Sequence, residues 1–179
     1  MPAANSSLSI PKSSCDTALV VALALAALAV ARIWIGPAPV ATGPLAEGNY
    51  AIARVIDGDT IVVAPKSTIR LIGADTPETV KPEHPVEPLG PEATAFTKRF
   101  LSGGSARLTF DRERVDRFGR HLAYVWADHR LLNEELIRNG LARFEPRFHY
   151  SELMKRRFRQ AEREAKDAHL GIWSQPGAH

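Results

Sequence analysis

The stretch YAIARVIDGDTIVV, residues 50–63, decides the fold. Tyr50 to Ile56 is apolar and β-branched, Asp57-Gly58-Asp59 interrupts the run, and Thr60 to Val63 resumes it. Asp-Gly between two such runs is a strong hairpin signal. A third strand follows at Thr68–Ile72, where alternation puts Ile69 and Leu71 on one face and Arg70 on the other. Next come 18 residues, Gly73 to Gly90, holding Pro77, Pro82, Pro85 and Pro88. A loop of that length in a compact domain is usually functional. Pro91 suits the first turn of a helix running to Leu101, and strands are expected at Arg107–Phe110 and Leu122–Trp126. A short helix over Leu132–Asn139 stops at Gly140, and a long one capped by Ser151 runs to His169 with Gly171 as its stop. Three strands, a helix, two strands and C-terminal helices are the order of an α+β domain, a five-stranded OB-type β-barrel with three α-helices.

Outside that core, composition narrows the class. The chain has 179 residues, 23 Lys+Arg against 20 Asp+Glu, 45% hydrophobic residues and one cysteine. These values exclude a disordered, collagen-like or disulfide-framework protein. Cys15 precedes the domain, so neither an intrachain disulfide nor a cysteine-based zinc site can be built. Most basic residues of the domain are arginines, which leans toward phosphate recognition although the net charge is too small to prove a nucleic-acid partner.

Residues 1–35 are set apart as an N-terminal apolar helix. Ala18–Ala31 gives 14 uninterrupted apolar residues ending in Ala29-Val30-Ala31, as in an export signal with a small-residue cleavage site. If Arg32 snorkels, the run extends to Ile35 with Trp34 as an interfacial anchor, so a cleaved signal and a retained membrane anchor both remain open. An amphipathic helix is disfavoured because the run has no polar face. Residues 36–47 read as a linker, 48–174 as the folded domain and 175–179 as a tail. The protein is expected to be exported and monomeric.

The chemistry clusters around the third strand. Asp59 closes the first hairpin turn, and Asp75-Thr76-Pro77-Glu78 opens the long loop. If strands two and three are neighbours these oxygens converge, and carboxylates with a backbone carbonyl are hard ligands for Ca²⁺ or Mg²⁺. Asp-Gly-Asp and Asp-Thr-Pro are also ordinary turn chemistry in which Asp caps its own backbone. Arg70 and Arg120 add two guanidinium forks able to clamp one phosphate.

The runs VIDGDT (55–60), RLIGADTPET (70–79), GPEATAFTKRFL (90–101), DRFGRHLAYVWAD (116–128), LNEELIRNGLA (132–142) and LGIWS (170–174) resemble the staphylococcal nuclease (thermonuclease) family, in the family's order. The resemblance covers essentially the whole domain. It implies an OB barrel with three helices and Ca²⁺-dependent hydrolysis of DNA and RNA phosphodiesters. By resemblance, Asp59 and Asp75 are the calcium carboxylates and Thr76 supplies a calcium-binding carbonyl. Arg70 and Arg120 bind phosphate, and Glu78 is the general base. For Glu78, a solvated loop carboxylate or a water-positioning role stays open. Residues 143–150 do not reproduce the family's pair of substrate-facing tyrosines, and Arg117-Phe118 replaces its Lys-Tyr. Those departures bear on substrate affinity and base preference rather than on chemistry.

Two other classes compete. One is a non-catalytic OB module binding nucleic acid at the membrane; losing Arg70, Glu78 or Arg120 would signal it, and none is lost. The other is a tethered domain that binds a peptide or another acidic ligand. The six histidines, His84, His121, His129, His149, His169 and His179, show no paired ligand spacing, so zinc chemistry is not expected. Lys155-Arg-Arg-Phe-Arg159 reads as a solvated helix face with intrahelical ion pairs, and Trp173 as core.

Overall fold

The computed structural model describes residues 45–79 and 87–174. The expected N-terminal helix and the tail lie outside those residues. Among the described residues no helix is long and apolar enough to cross a membrane.

Strand β1 (Gly48–Val55) is long enough to serve two neighbours. Its first half pairs antiparallel with β5 (Ser105–Thr109), its second half with β2 (Thr60–Val63), and the register slips between Ile52 and Arg54. Such an extra residue bends a strand and sharpens its twist, which turns β1 around a barrel corner. β2 pairs antiparallel with β3 (Ser67–Leu71), and β5 with β6 (His121–Ala127). Parallel pairing of Ile69–Leu71 with His121–Ala123 closes the circle. The result is the five-stranded closed barrel expected from the sequence, filled by Ile61, Val63, Ile69, Leu71, Leu108, Leu122 and Val125, all fully buried.

Three helices accompany it: α1 (Gly90–Phe100), α2 (Leu132–Arg138) and α3 (Glu152–Asp167). Ser151 caps α3 by accepting from the Met154 amide, as the sequence suggested. Three two-residue strands were not anticipated: β4 (Ala74–Asp75) pairs with β8 (Arg143–Phe144), and β7 (Arg130–Leu131) with β6. The first pair takes Ala74 and Asp75 out of the expected loop and fixes them against the segment after α2. Residues 45–47, expected as the end of a linker, are held to the domain. Arg114 donates to the Leu45 carbonyl, Tyr50 to that of Ala46, and the Phe110 amide to the Glu47 carboxylate.

Arg157 does not pair along its own helix but crosses from α3 to Glu134 of α2, which Arg138 also engages. Trp173 is buried, as expected. The barrel closure is bolted to α2 by Asn133, which is fully buried. Its amide oxygen accepts from the Val125 N–H at 3.0 Å, and its nitrogen donates to the carbonyls of Ile72 at 2.9 Å and Ala123 at 3.1 Å. Replacing Asn133 by Leu keeps volume but orphans the Val125 donor and the Ile72 acceptor. Each orphan costs about 1–3 kcal/mol. Asn133→Leu is expected to lower Tm by on the order of 10 °C for a domain of this size. A melting curve within 2–3 °C of the parent would refute the bolt.

Candidate active site

The site forms where β2, β3 and the start of the long loop meet on the barrel wall. Asp59 ends the four-residue connection between β1 and β2, and the Leu71 amide donates to its carbonyl. Gly58 is required here for space rather than for a left-handed turn. A Cβ on Gly58 would lie 2.7 Å from Thr76 Cγ2 and 2.8 Å from Ala93 Cβ. Thr97 of α1 donates to the Gly58 carbonyl at 2.6 Å, so the helix holds the loop against the barrel.

With the loop fixed, the Asp59 carboxylate is nearly buried and fully engaged. Oδ1 accepts from Thr60 Oγ1 at 3.0 Å, and Oδ2 accepts from the Thr76 amide at 2.8 Å and from Arg70. Arg70 rises from β3 on the face opposite Ile69 and Leu71, as alternation predicted. It also donates to the Ala74 carbonyl at 2.9 Å and to Asp75 Oδ1 at 2.6 Å. Three of its five N–H groups are thus committed, and two are left for a ligand.

Burial pushes the Asp59 carboxyl above its ordinary range; Arg70 opposes the shift and Asp57 adds to it. Burial likewise raises Asp75, with Arg70 opposing and Asp59 and Glu145 adding repulsion. One guanidinium therefore serves two carboxylates, Asp59 nearly buried and Asp75 half-exposed, an arrangement short of positive charge. Among the described residues no three His, Cys, Asp or Glu side chains converge as a metal cage. The donors present are hard oxygens, which fit a calcium ion completed by a carbonyl, water and substrate oxygens.

Arg120 enters from the turn before β6. Asp116 organises that turn, its Oδ1 accepting from the amides of Phe118 at 2.9 Å and Arg120 at 3.0 Å and its Oδ2 from Arg120 Nε at 2.7 Å. Burial raises the Asp116 carboxyl, but these bonds outweigh it and hold the group below its usual range. Gly119, at φ 77°, gives the turn its left-handed corner.

Asp59, Arg70, Asp75, Glu78 and Arg120 line one cleft of about 490 Å³. Thr76 lines the adjoining cavity and meets the group through its amide on Asp59. Glu113, Asp116, Arg117, Phe118, Glu145, Arg147 and Phe148 complete the cleft. Phe118 is 68% exposed, with the Arg117 and Arg120 guanidiniums 4.7 and 5.4 Å from its ring centroid. Sequence reasoning missed Asp116, Glu145 and Arg147. The spacing Asp-x-x-Gly-Arg was the available signal for Asp116, since Asp before a glycine turn caps its own backbone.

A closed OB barrel whose wall presents two carboxylates beside an arginine fork, with a second arginine entering the same cleft, defines the class of fold and site. The staphylococcal nuclease homologue family pattern matches residues 68–175, and the chain belongs to that family. It is 46% identical over 134 residues to the thermonuclease of Staphylococcus hyicus, covering 72% of this chain and 77% of the relative. To the thermonuclease of Staphylococcus intermedius it is 45% identical over 131 residues, 70% of this chain and 76% of the relative. With endonuclease YncB of Bacillus subtilis it shares 42% identity over 137 residues, 72% of this chain and 63% of the relative.

Proposed function

We propose that this chain is a calcium-dependent nuclease that hydrolyses phosphodiester bonds of DNA or RNA. The observation that carries the reading is the sharing of one cleft by the Asp59–Arg70–Asp75 cluster, Glu78 and Arg120. Its relatives' names, thermonuclease and endonuclease, support it.

A phosphodiester is already anionic, and attack by water loads further charge onto its non-bridging oxygens. Guanidiniums of Arg70 and Arg120 aimed at those oxygens stabilise the transition state more than the ground state. Glu78 takes the proton from the attacking water as the new P–O bond forms and the ester P–O bond breaks, and the leaving alkoxide takes its proton from solvent. Asp59, Asp75 and the Thr76 carbonyl would hold calcium, which when bound supplies positive charge beside the phosphate. Asp116 is a positioning residue, because it aims Arg120. Asp116→Asn keeps the shape but weakens the bond to Nε, and turnover is expected to fall about 10-fold or more through misplacement of that fork. Unchanged turnover would separate Asp116 from the chemistry.

The decisive experiment measures release of acid-soluble nucleotides with calcium and with chelator. Cleavage is expected in calcium alone, and binding without cleavage would favour the non-catalytic module instead. So few protein ligands imply a dissociation constant on the order of 10⁻⁴–10⁻³ M. At 10 mM calcium the folded state then gains about 1.4–2.7 kcal/mol by mass action. Tm should rise roughly 4–10 °C. Asp75→Ala should abolish that rise. The apolar run at residues 18–31 supports export, where calcium is abundant, with membrane attachment through residues 18–35 if the run is retained.

A further inference from the structure

Residues 143–150 place in the cleft a charge that the proposed chemistry leaves unused. Glu145 is anchored through its main chain, its amide donating to the Gly73 carbonyl at 2.9 Å and its carbonyl accepting from the buried Tyr150 hydroxyl at 2.8 Å. Its carboxylate, 7% exposed, turns to Arg147. Oε1 accepts from the Arg147 amide at 2.8 Å, and Oε2 accepts from Nε at 2.8 Å and from a terminal nitrogen of the same guanidinium. Pro146 between them fixes one more backbone angle.

The two partners are unequal. Arg147 is 83% exposed while its counter-ion is nearly buried, so the surface presented to solvent is the cation. An exposed ion pair between long side chains ordinarily adds little to stability. Glu145 occupies only the Nε edge of the guanidinium, leaving three N–H groups on its outer edge with no partner among the described residues. That outer edge is a fork of the kind that takes a phosphate bidentately, already oriented before the ligand arrives. Glu145, Arg147 and Phe148 line the same cleft as Arg70 and Arg120.

We propose that Arg147 is an additional phosphate-binding residue. It takes a backbone phosphate of a single strand next to the one being cleaved, with Glu145 as its positioning residue. This rests on the nuclease reading for the identity of the ligand. A strand with several phosphates would then be gripped at the scissile position and at a neighbouring one. A dinucleotide, with a single phosphodiester, would not reach Arg147.

The test is equilibrium binding of a fluorescein-labelled ten-nucleotide single-stranded DNA in chelator, by anisotropy, across 50–300 mM NaCl. One phosphate contact contributes about 0.7 to the slope of log affinity against log salt for a single strand. Arg147→Ala is expected to reduce the slope by about that amount and to weaken binding 3- to 10-fold at low salt. Arg147→Lys should restore the slope but not the full affinity. Glu145→Gln, which leaves the Arg147 cation in place and removes the carboxylate that aims it, should leave the slope intact while weakening binding. Dinucleotide affinity should be unaltered in all three. No measurable binding by the parent, an unchanged slope in Arg147→Ala, or an equal loss for the dinucleotide would overturn the proposal. The calcium cleavage assay judges the nuclease reading separately, because none of these readouts requires turnover.

Discussion

Arg120→Ala is expected to lower kcat by about 10²–10³-fold or more while leaving the domain folded. The side chain contributes its guanidinium to the cleft and a single bond from Nε to Asp116, whereas the turn itself is held by main-chain amides that alanine retains. Asp116 therefore keeps two of its three donors, and Tm should move by only a few degrees. The large effect falls on catalysis because the lost fork faces charge that grows toward the transition state. Arg120→Lys restores the charge without the planar fork and should recover only part of the rate. The measurements are kcat, KM and a melting curve on each variant. Activity within a few-fold of the parent would remove Arg120 from the phosphate clamp.

Glu78→Gln should be comparably severe by another route. Its amide keeps the shape of the carboxylate and loses its basicity, so turnover is expected to fall by about 10²–10⁴-fold with little change in binding of a nucleotide analogue. Local structure favours a clean result. The main chain of Glu78 is clasped by Glu87, whose carboxylate accepts from the Glu78 amide at 3.3 Å and whose amide donates to the Glu78 carbonyl at 2.9 Å. Neither bond uses the Glu78 side chain, so the substitution leaves the loop's attachment alone. Equal losses in binding and turnover would instead assign Glu78 to ordering the loop.

Much of this was legible in the chain. The hairpin at 50–63, the alternation around Arg70 and the Ser151 N-cap of the last helix are local patterns, and the barrel and three helices follow from them; the stop expected at Gly171 falls earlier, the helix ending at Asp167 with His169 at φ 52°. The short strands were not legible, because two residues cannot display a period. The Ala74–Phe144 pairing also joins segments seventy positions apart. Gly58 was read correctly as a turn signal for an incomplete reason, since its small size serves Thr76 and Ala93, far along the sequence. Asp59, Arg70 and Asp75 could be brought together because neighbouring strands do so automatically. Asp116, Glu145 and Arg147 could not, since their roles arise from hydrogen bonds that only the folded turns create.

Arg70 stands in the closed wall of the barrel, opposite Thr60 on β2 and between core residues Ile69 and Leu71. Phe118 and Arg147 stand on exposed loops outside that wall. The two sets live under different evolutionary rules. Substitution in the wall disturbs a packed, desolvated cluster and is answerable to folding itself, whereas exposed turn residues usually change stability by less than about 0.5 kcal/mol. Descendants of this barrel can therefore drift at the exposed loop positions while inheriting the wall cluster unaltered.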